Sequence, residues 1–150
     1  MVASEGTSNP VSHISTTMAI FIGDPLSLNF RAASLVIRMA RTIIFPAGMR
    51  YQGELAGTAA RMRDIGMDYR TTTLEEVTAS LRQLQDATAR LETALAACGE
   101  LGEGLEAAQR YCADVLPLML EVRSHADALE TMVADDLWAL PNYQEILFGK

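Results

Sequence analysis

The sequence predicts an all-α protein: a long kinked helix, then an antiparallel two-helix heptad hairpin in a helical bundle, then a short C-terminal extension. Three observations carry this. Apolar residues recur at three- and four-residue spacing through most of the chain. No stretch alternates apolar and polar residues as a half-buried strand does. Glycines and prolines fall where helices start, stop or bend.

Residues 1–25 read as a flexible leader, rich in Ser, Thr, Gly and Asn, residues that favour turns and caps. Residues 26–150 read as one helical bundle domain, with helices at about 26–65, 74–98 and 105–134 and a tail at 135–150. Asp24-Pro25 is a helix start, an N-cap acceptor followed by proline at the first helical position. The first helix has apolar positions that include Leu28, Leu35, Val36, Met39 and Ile43, then Ala47, Leu55, Met62 and Ile65. Pro46 lies within it and is expected to kink or split it, because proline lacks the amide hydrogen and clashes with the preceding turn. Gly66 marks its end.

Thr73 and Glu76 have the spacing of a capping box for the second helix. Its seam runs through positions 74, 77, 81, 84, 88, 91 and 95, all apolar except Thr88. The glycines at 99, 102 and 104 break the pattern. A second seam starts at Leu105 and continues through Ala108, Cys112, Val115 and Met119 to Val133. Two heptad helices joined by a short glycine-rich turn predict an antiparallel hairpin about 35–45 Å long. Tyr111, Leu118, His125 and Met132 add a second stripe beside that seam, and Leu116 and Leu120 widen it. Such a face is expected to touch two neighbours, the second being the first helix. In the tail, Trp138, Tyr143 and Phe148 are expected anchors, and Asn142 and Glu145 form a second capping box.

Charge excludes some functions. The chain of 150 residues has 12 Lys and Arg against 19 Asp and Glu, for a net charge of −7. An acidic chain lacks the basic surface that displaces counterions from nucleic acid, so no nucleic-acid partner is expected. Residues 1–73 carry seven bases and five acids, whereas residues 74–150 carry five and fourteen. The apolar stretch 28–45 is interrupted by Arg31, Arg38 and Arg41 on one side of the helix. That pattern reads as a polar helix face turned to water or acidic neighbours, the alternative being a helix lying on a membrane surface. No membrane partner is expected. Cys98 and Cys112 are expected to remain free thiols, in keeping with a cytoplasmic protein.

Catalytic patterns are absent from the sequence. There is no phosphate-binding glycine loop, no GxGxxG and no GxSxG elbow. His125, with Glu121 four residues before it, provides one Glu-x-x-x-His where a diiron bundle uses two Glu-x-x-His pairs and further glutamates. It reads as a packing residue at the edge of an apolar face. Cys112 and His125 lie about 20 Å apart along one helix and cannot form a nucleophile–base pair within one chain. Asp135 and Asp136 read as a solvated turn.

A family resemblance enters through longer blocks. Tyr111-Cys112-Ala113-Asp114-Val115-Leu116-Pro117, then Glu121-Val122-Arg123 and Ala126-Asp127-Ala128-Leu129-Glu130, resemble the C-terminal region of type III glutamine synthetases. So does the stretch from Val133 through Asp135-Asp136-Leu137-Trp138-Ala139-Leu140-Pro141 to Leu147-Phe148. Upstream, Ala40-Arg41-Thr42-Ile43-Ile44-Phe45-Pro46-Ala47 and Arg50-Tyr51-Gln52-Gly53-Glu54-Leu55-Ala56 resemble the same family's helix with an internal proline. The resemblance spans about residues 28–150 and leaves out the leader.

The family makes glutamine from glutamate, ammonia and ATP, with divalent metal ions, in a large oligomer. Its ligand-binding residues lie in β-rich parts that precede this helical region, and none of those motifs has a matching position here. The resemblance therefore implies no catalytic, cofactor-binding or metal-binding residue in this chain; ATP and metal are implied only for the full-length family. It implies a non-catalytic C-terminal helical domain, or a truncated fragment, that contributes to folding and subunit assembly of the ligase in nitrogen metabolism. The implied partner is another copy or the catalytic part. The periodicity alone leaves a second reading open, a stand-alone helical module for self-association or protein interaction.

Overall fold

A computed structural model describes residues 25–102, 104–138 and 140, and among them there is no strand. The leader through residue 24, the Asn142–Glu145 cap, Tyr143 and Phe148 lie outside the described residues. Three long helices pack on one another, as the heptad spacing requires. Helix α1 comprises Pro25–Met39, a π-turn at Ala40–Ile44 and Phe45–Asp64. Helix α2 is Thr72–Glu100. Helix α3 comprises Leu105–Arg110, a π-turn at Tyr111–Val115 and Leu116–Glu130.

The two π-turns have one cause. Pro46 and Pro117 each follow two residues after a π-turn ends. A proline ring collides with the carbonyl four residues back and donates no hydrogen bond to it. Just before each proline the ladder lengthens by one residue. The Phe45 N–H reaches Ala40 O, and the Leu116 N–H reaches Tyr111 O. The widened turn accommodates the ring, and α1 continues through Pro46 where a split was one expected outcome.

The widened turn also rotates the face of α3. A strict heptad from Leu105 puts Leu105 and Cys112 in the seam, yet Leu105 is 74% exposed and Cys112 is exposed. The buried residues there are Ala107 and Tyr111. The extra residue in the turn lets positions spaced by four (107, 111, 115) share one face. Beyond Val115 the seam follows the heptad, with Val122, Ala126, Leu129 and Val133 buried. Leu116 and Leu120, expected to widen the buried face, point outward at 41% and 68% exposure.

Helix α1 buries a different stripe from the one its bulky residues suggest. Leu28, Leu35 and Ile65 are exposed, while Ala33, Ala40, Ile44, Ala47, Gly48 and Ala59 are buried. Small residues let α1 approach α2 closely. A Cβ placed on Gly48 would lie 2.6 Å from Leu81 Cδ2. The same position lies 3.7 Å from Leu129 Cδ2, so the three helices meet there.

The ends of the helices follow local chemistry. α1 closes in a Schellman motif, with the Met67 N–H on Met62 O at 2.9 Å and the Gly66 N–H on Arg63 O at 3.0 Å. Gly66 takes the left-handed φ of 75° that this motif needs. α2 begins at Thr72, so the Thr73–Glu76 capping box does not form; Thr73 is already inside the helix. Thr71 is the N-cap residue and makes no side-chain cap to the backbone; its hydroxyl donates to Glu75 Oε1 at 2.7 Å. The Glu75 N–H on Thr71 O starts the helical ladder.

The core is one cluster along all three helices. Thr88, the polar member of the α2 seam, donates its hydroxyl to Leu84 O at 2.7 Å, so its burial leaves no orphan donor. Tyr111 is buried, and its hydroxyl donates to Asn29 O at 2.7 Å, which ties α3 to the start of α1. Its ring tilts against Phe30 with centroids 5.6 Å apart. Trp138 closes the far end of the core at 9% exposure. Among the described residues its indole N–H has no hydrogen-bond partner.

Candidate interaction surface

The residues that could carry chemistry do not converge. Among the described residues no three His, Cys, Asp or Glu side chains gather to hold a metal ion. His125 Nε2 lies 3.7 Å from Glu121 Oε1 across one turn, and Arg90 of α2 reaches the same carboxylate at 2.5 Å. The hydrogen bond from Arg90 holds the Glu121 carboxyl below its ordinary range. The outcome is an interhelical tie at the rim. Cys98 is buried, its thiol donating to Ala107 O at 3.3 Å, and burial pushes its pKa up. Burial likewise raises the Tyr111 phenol. Cys112 is exposed, and both thiols are free.

The surface between α1 and α2 is better organised. The segment 25–53 has four arginines and no acid. At about 100° per residue, Leu28 and Leu35 lie nearly opposite the buried face of α1, at 52% and 51% exposure. Arg31 and Arg38 lie beside them on the flank toward α2. Phe30, Arg31, Ser34, Leu35 and Arg38 line a shallow groove along this flank. One arginine of the series finds an acid within the molecule, since Arg41 pairs with Glu92 of α2 at 2.5 Å. Among the described residues Arg31 and Arg38 have no ion-pair partner.

The α2 flank of this surface is acidic and small over residues 86–100, with the exposed Arg82 one turn before it. Asp86 and Glu100 are exposed, and among the described residues neither is ion-paired. Between them Ala89, Ala96 and Ala97 are exposed. Three contacts fix the relative heights of the antiparallel helices. A Cβ on Gly99 would lie 3.7 Å from the Phe30 ring, Gly48 meets Leu81, and Gln52 Nε2 donates to Thr78 Oγ1 at 2.6 Å. These contacts put Arg31 at the height of Glu100, Leu35 near Ala94–Ala96 and Arg38 near Glu92. Leu28 falls level with Leu101, which is 43% exposed.

The sequence pointed to the arginine stripe and to the acid excess of residues 74–150. It did not point to the exposed Leu28 and Leu35, because bulky apolar residues on an amphipathic helix read as core. By length and composition the segment Leu26–Asp64 is also apolar enough to cross a membrane. Its inner stripe is packed against α2 and α3.

Comparison with known proteins gives one informative likeness. No family model matches the chain. No solved structure matches it. A glutamine synthetase of Bacteroides fragilis (strain YCH46) is 26% identical over 115 residues, which cover 71% of this chain and 16% of that protein. The chain thus spans about one sixth of the length of the relative it matches, and its likeness to glutamine synthetase is a distant one.

Proposed function

We propose that the chain is a non-catalytic helical domain, or a truncated fragment, of a type III glutamine synthetase. It corresponds to the C-terminal region of that enzyme and contributes to folding and subunit assembly of an ATP-dependent glutamate–ammonia ligase in the cytoplasm. The observation that carries this reading is the 115-residue similarity to glutamine synthetase. The helical bundle with an organised outer surface supports an assembly role. Reaction chemistry, in this reading, belongs to the rest of the enzyme: this chain's residues hold three helices in register and present a surface.

The test has two arms. The purified chain is assayed for phosphate release from ATP in the presence of glutamate, ammonia and divalent metal, and no turnover is expected. The chain is then added to the Bacteroides fragilis enzyme from which the matched segment has been deleted, and recovery of assembled, active ligase is expected. Glutamate-dependent turnover by the chain alone refutes the non-catalytic role. Failure of the chain to bind the deleted enzyme refutes the domain assignment. A second reading, a stand-alone self-association module, is favoured by Arg31 and Arg38, which lie beside exposed leucines and have no ion-pair partner among the described residues. It predicts association of the chain with itself and no binding to the deleted enzyme.

A further inference from the structure

We infer that the outer face of α1 and α2 is a two-fold interface that receives a second copy of this chain. The inference stands on the chain's own surfaces and holds whether or not the synthetase relationship does. The face has a basic, leucine-bearing half and an acidic, alanine-bearing half. A two-fold axis parallel to the helices lays the α1 half of one copy on the α2 half of the other and preserves heights. Arg31 then stands opposite the level of Glu100, and Leu28 opposite Leu101. Leu35 meets the alanine strip, whose small side chains leave room for it. The pair Arg41–Glu92 already makes this basic-on-acidic match inside one molecule.

The occupant follows from charge. Arg31 needs an acidic partner and Glu100, at its height, a basic one; one contact made twice satisfies both, with Arg38 and Asp86 adding to the basic and acidic character of the two halves. A foreign acidic helix would satisfy only the α1 half. A membrane surface would be repelled by the acidic half. Contacts of this kind close at two copies and leave no free half to extend a filament.

Sedimentation of the full chain over a concentration series reads the association. Mass is expected to rise from monomer to dimer at low salt and to fall back toward monomer at about 0.3 M salt. Arg31→Glu with Arg38→Glu is expected to raise the half-association concentration at least about tenfold. Asp86→Arg with Glu100→Arg is expected to do the same. All four sites are exposed, and circular dichroism checks that each variant keeps its helicity. The decisive arm mixes the two variants. An α1 face turned acidic then meets an α2 face turned basic, the wild-type pairing survives on the other half, and dimer returns. A wild-type chain that stays monomeric throughout overturns the inference. So does association that the variants leave untouched, a mixture that remains monomeric, or sedimentation with anionic phospholipid vesicles without dimer.

Discussion

Gly48 and Gly53 sit in the same helix, and the same substitution at each is expected to act with opposite sign. Glycine to alanine in a helix interior gains about 1 kcal/mol, because alanine loses less backbone freedom on folding. At Gly53 a new Cβ meets nothing within 4 Å, so Gly53→Ala receives that gain whole. At Gly48 the new Cβ comes within 2.6 Å of Leu81 Cδ2 and 3.4 Å of Leu81 Cγ. Leu81 is 3% exposed and backed by Leu129 at the three-helix contact, so it moves only by displacing packed neighbours. Overpacking of this kind costs about 1–3 kcal/mol. Net of the helix gain, Gly48→Ala changes stability by between about zero and a loss of about 2 kcal/mol. Urea unfolding followed by circular dichroism measures both variants against the parent. The difference between them isolates packing, at about 1–3 kcal/mol. Equal stabilisation by the two substitutions refutes the close approach of α1 to α2.

Three further outcomes test other parts of the fold. Leu84→Asp places a charge in the buried α2 seam, where an unpaired charge costs several kcal/mol, and cooperative thermal melting is expected to be lost. Unchanged melting removes the seam. Tyr111→Phe keeps the ring against Phe30 and deletes the hydroxyl bond to Asn29 O. A loss of about 1 kcal/mol in denaturant unfolding is expected, and no loss means that the tie contributes nothing. Glu121 has a lowered pKa in the folded chain because of Arg90, so its stabilisation is present at neutral pH and disappears as pH falls through the folded value. Glu121→Gln is expected to flatten the acid limb of stability against pH below the ordinary carboxylate range. An identical acid limb in the variant refutes the tie.

The helical class and the antiparallel hairpin were legible because period and punctuation agree over long stretches. Val77, Leu81, Leu84, Thr88 and Leu91 are buried at the spacing the sequence implies. The face of α1 was not legible, because the pattern was read by size. Its buried heptad is largely alanine and glycine, and its leucines repeat just as regularly on the outside. A periodicity read without regard to bulk shows both stripes. The phase of α3 was misplaced for another reason. An X-Pro step deep in a helix was read as a bend, whereas the backbone answers it with one extra residue in the turn before. That residue shifts every position upstream of Val115 by one, exchanging Ala108 and Cys112 for Ala107 and Tyr111 and leaving Leu105 outside. The candidate surface was half legible. Charge located the basic and acidic sides, and only the relative heights of α1 and α2 brought them onto one face.

Burying alanine while exposing leucine on one helix runs against the free energy of folding a lone bundle. Fully burying a leucine side chain is worth about 1.5–3 kcal/mol, several times the gain from an alanine methyl. Turning α1 to bury Leu28 and Leu35 would nevertheless turn Gly48 away from Leu81 and Leu129 and bring a larger side chain to that contact, which forces α1 away from α2. The close approach at Gly48 and the outward leucines are thus one choice of helix orientation. That orientation leaves roughly half of each leucine in water, a sizeable unused apolar area per chain. A helix of this kind is suited to lie between two layers, with α2 and α3 beneath and another surface above. The charges agree at one level, because Arg31 beside the leucines stands at the height of Glu100 on α2 of a second copy. If α1 does lie between two layers, covering it should slow hydrogen exchange at Leu28, Arg31 and Leu35 as concentration rises, while exchange in the buried α2 seam stays constant. Equal exchange at all concentrations would leave the orientation of α1 explained by the Gly48 contact alone.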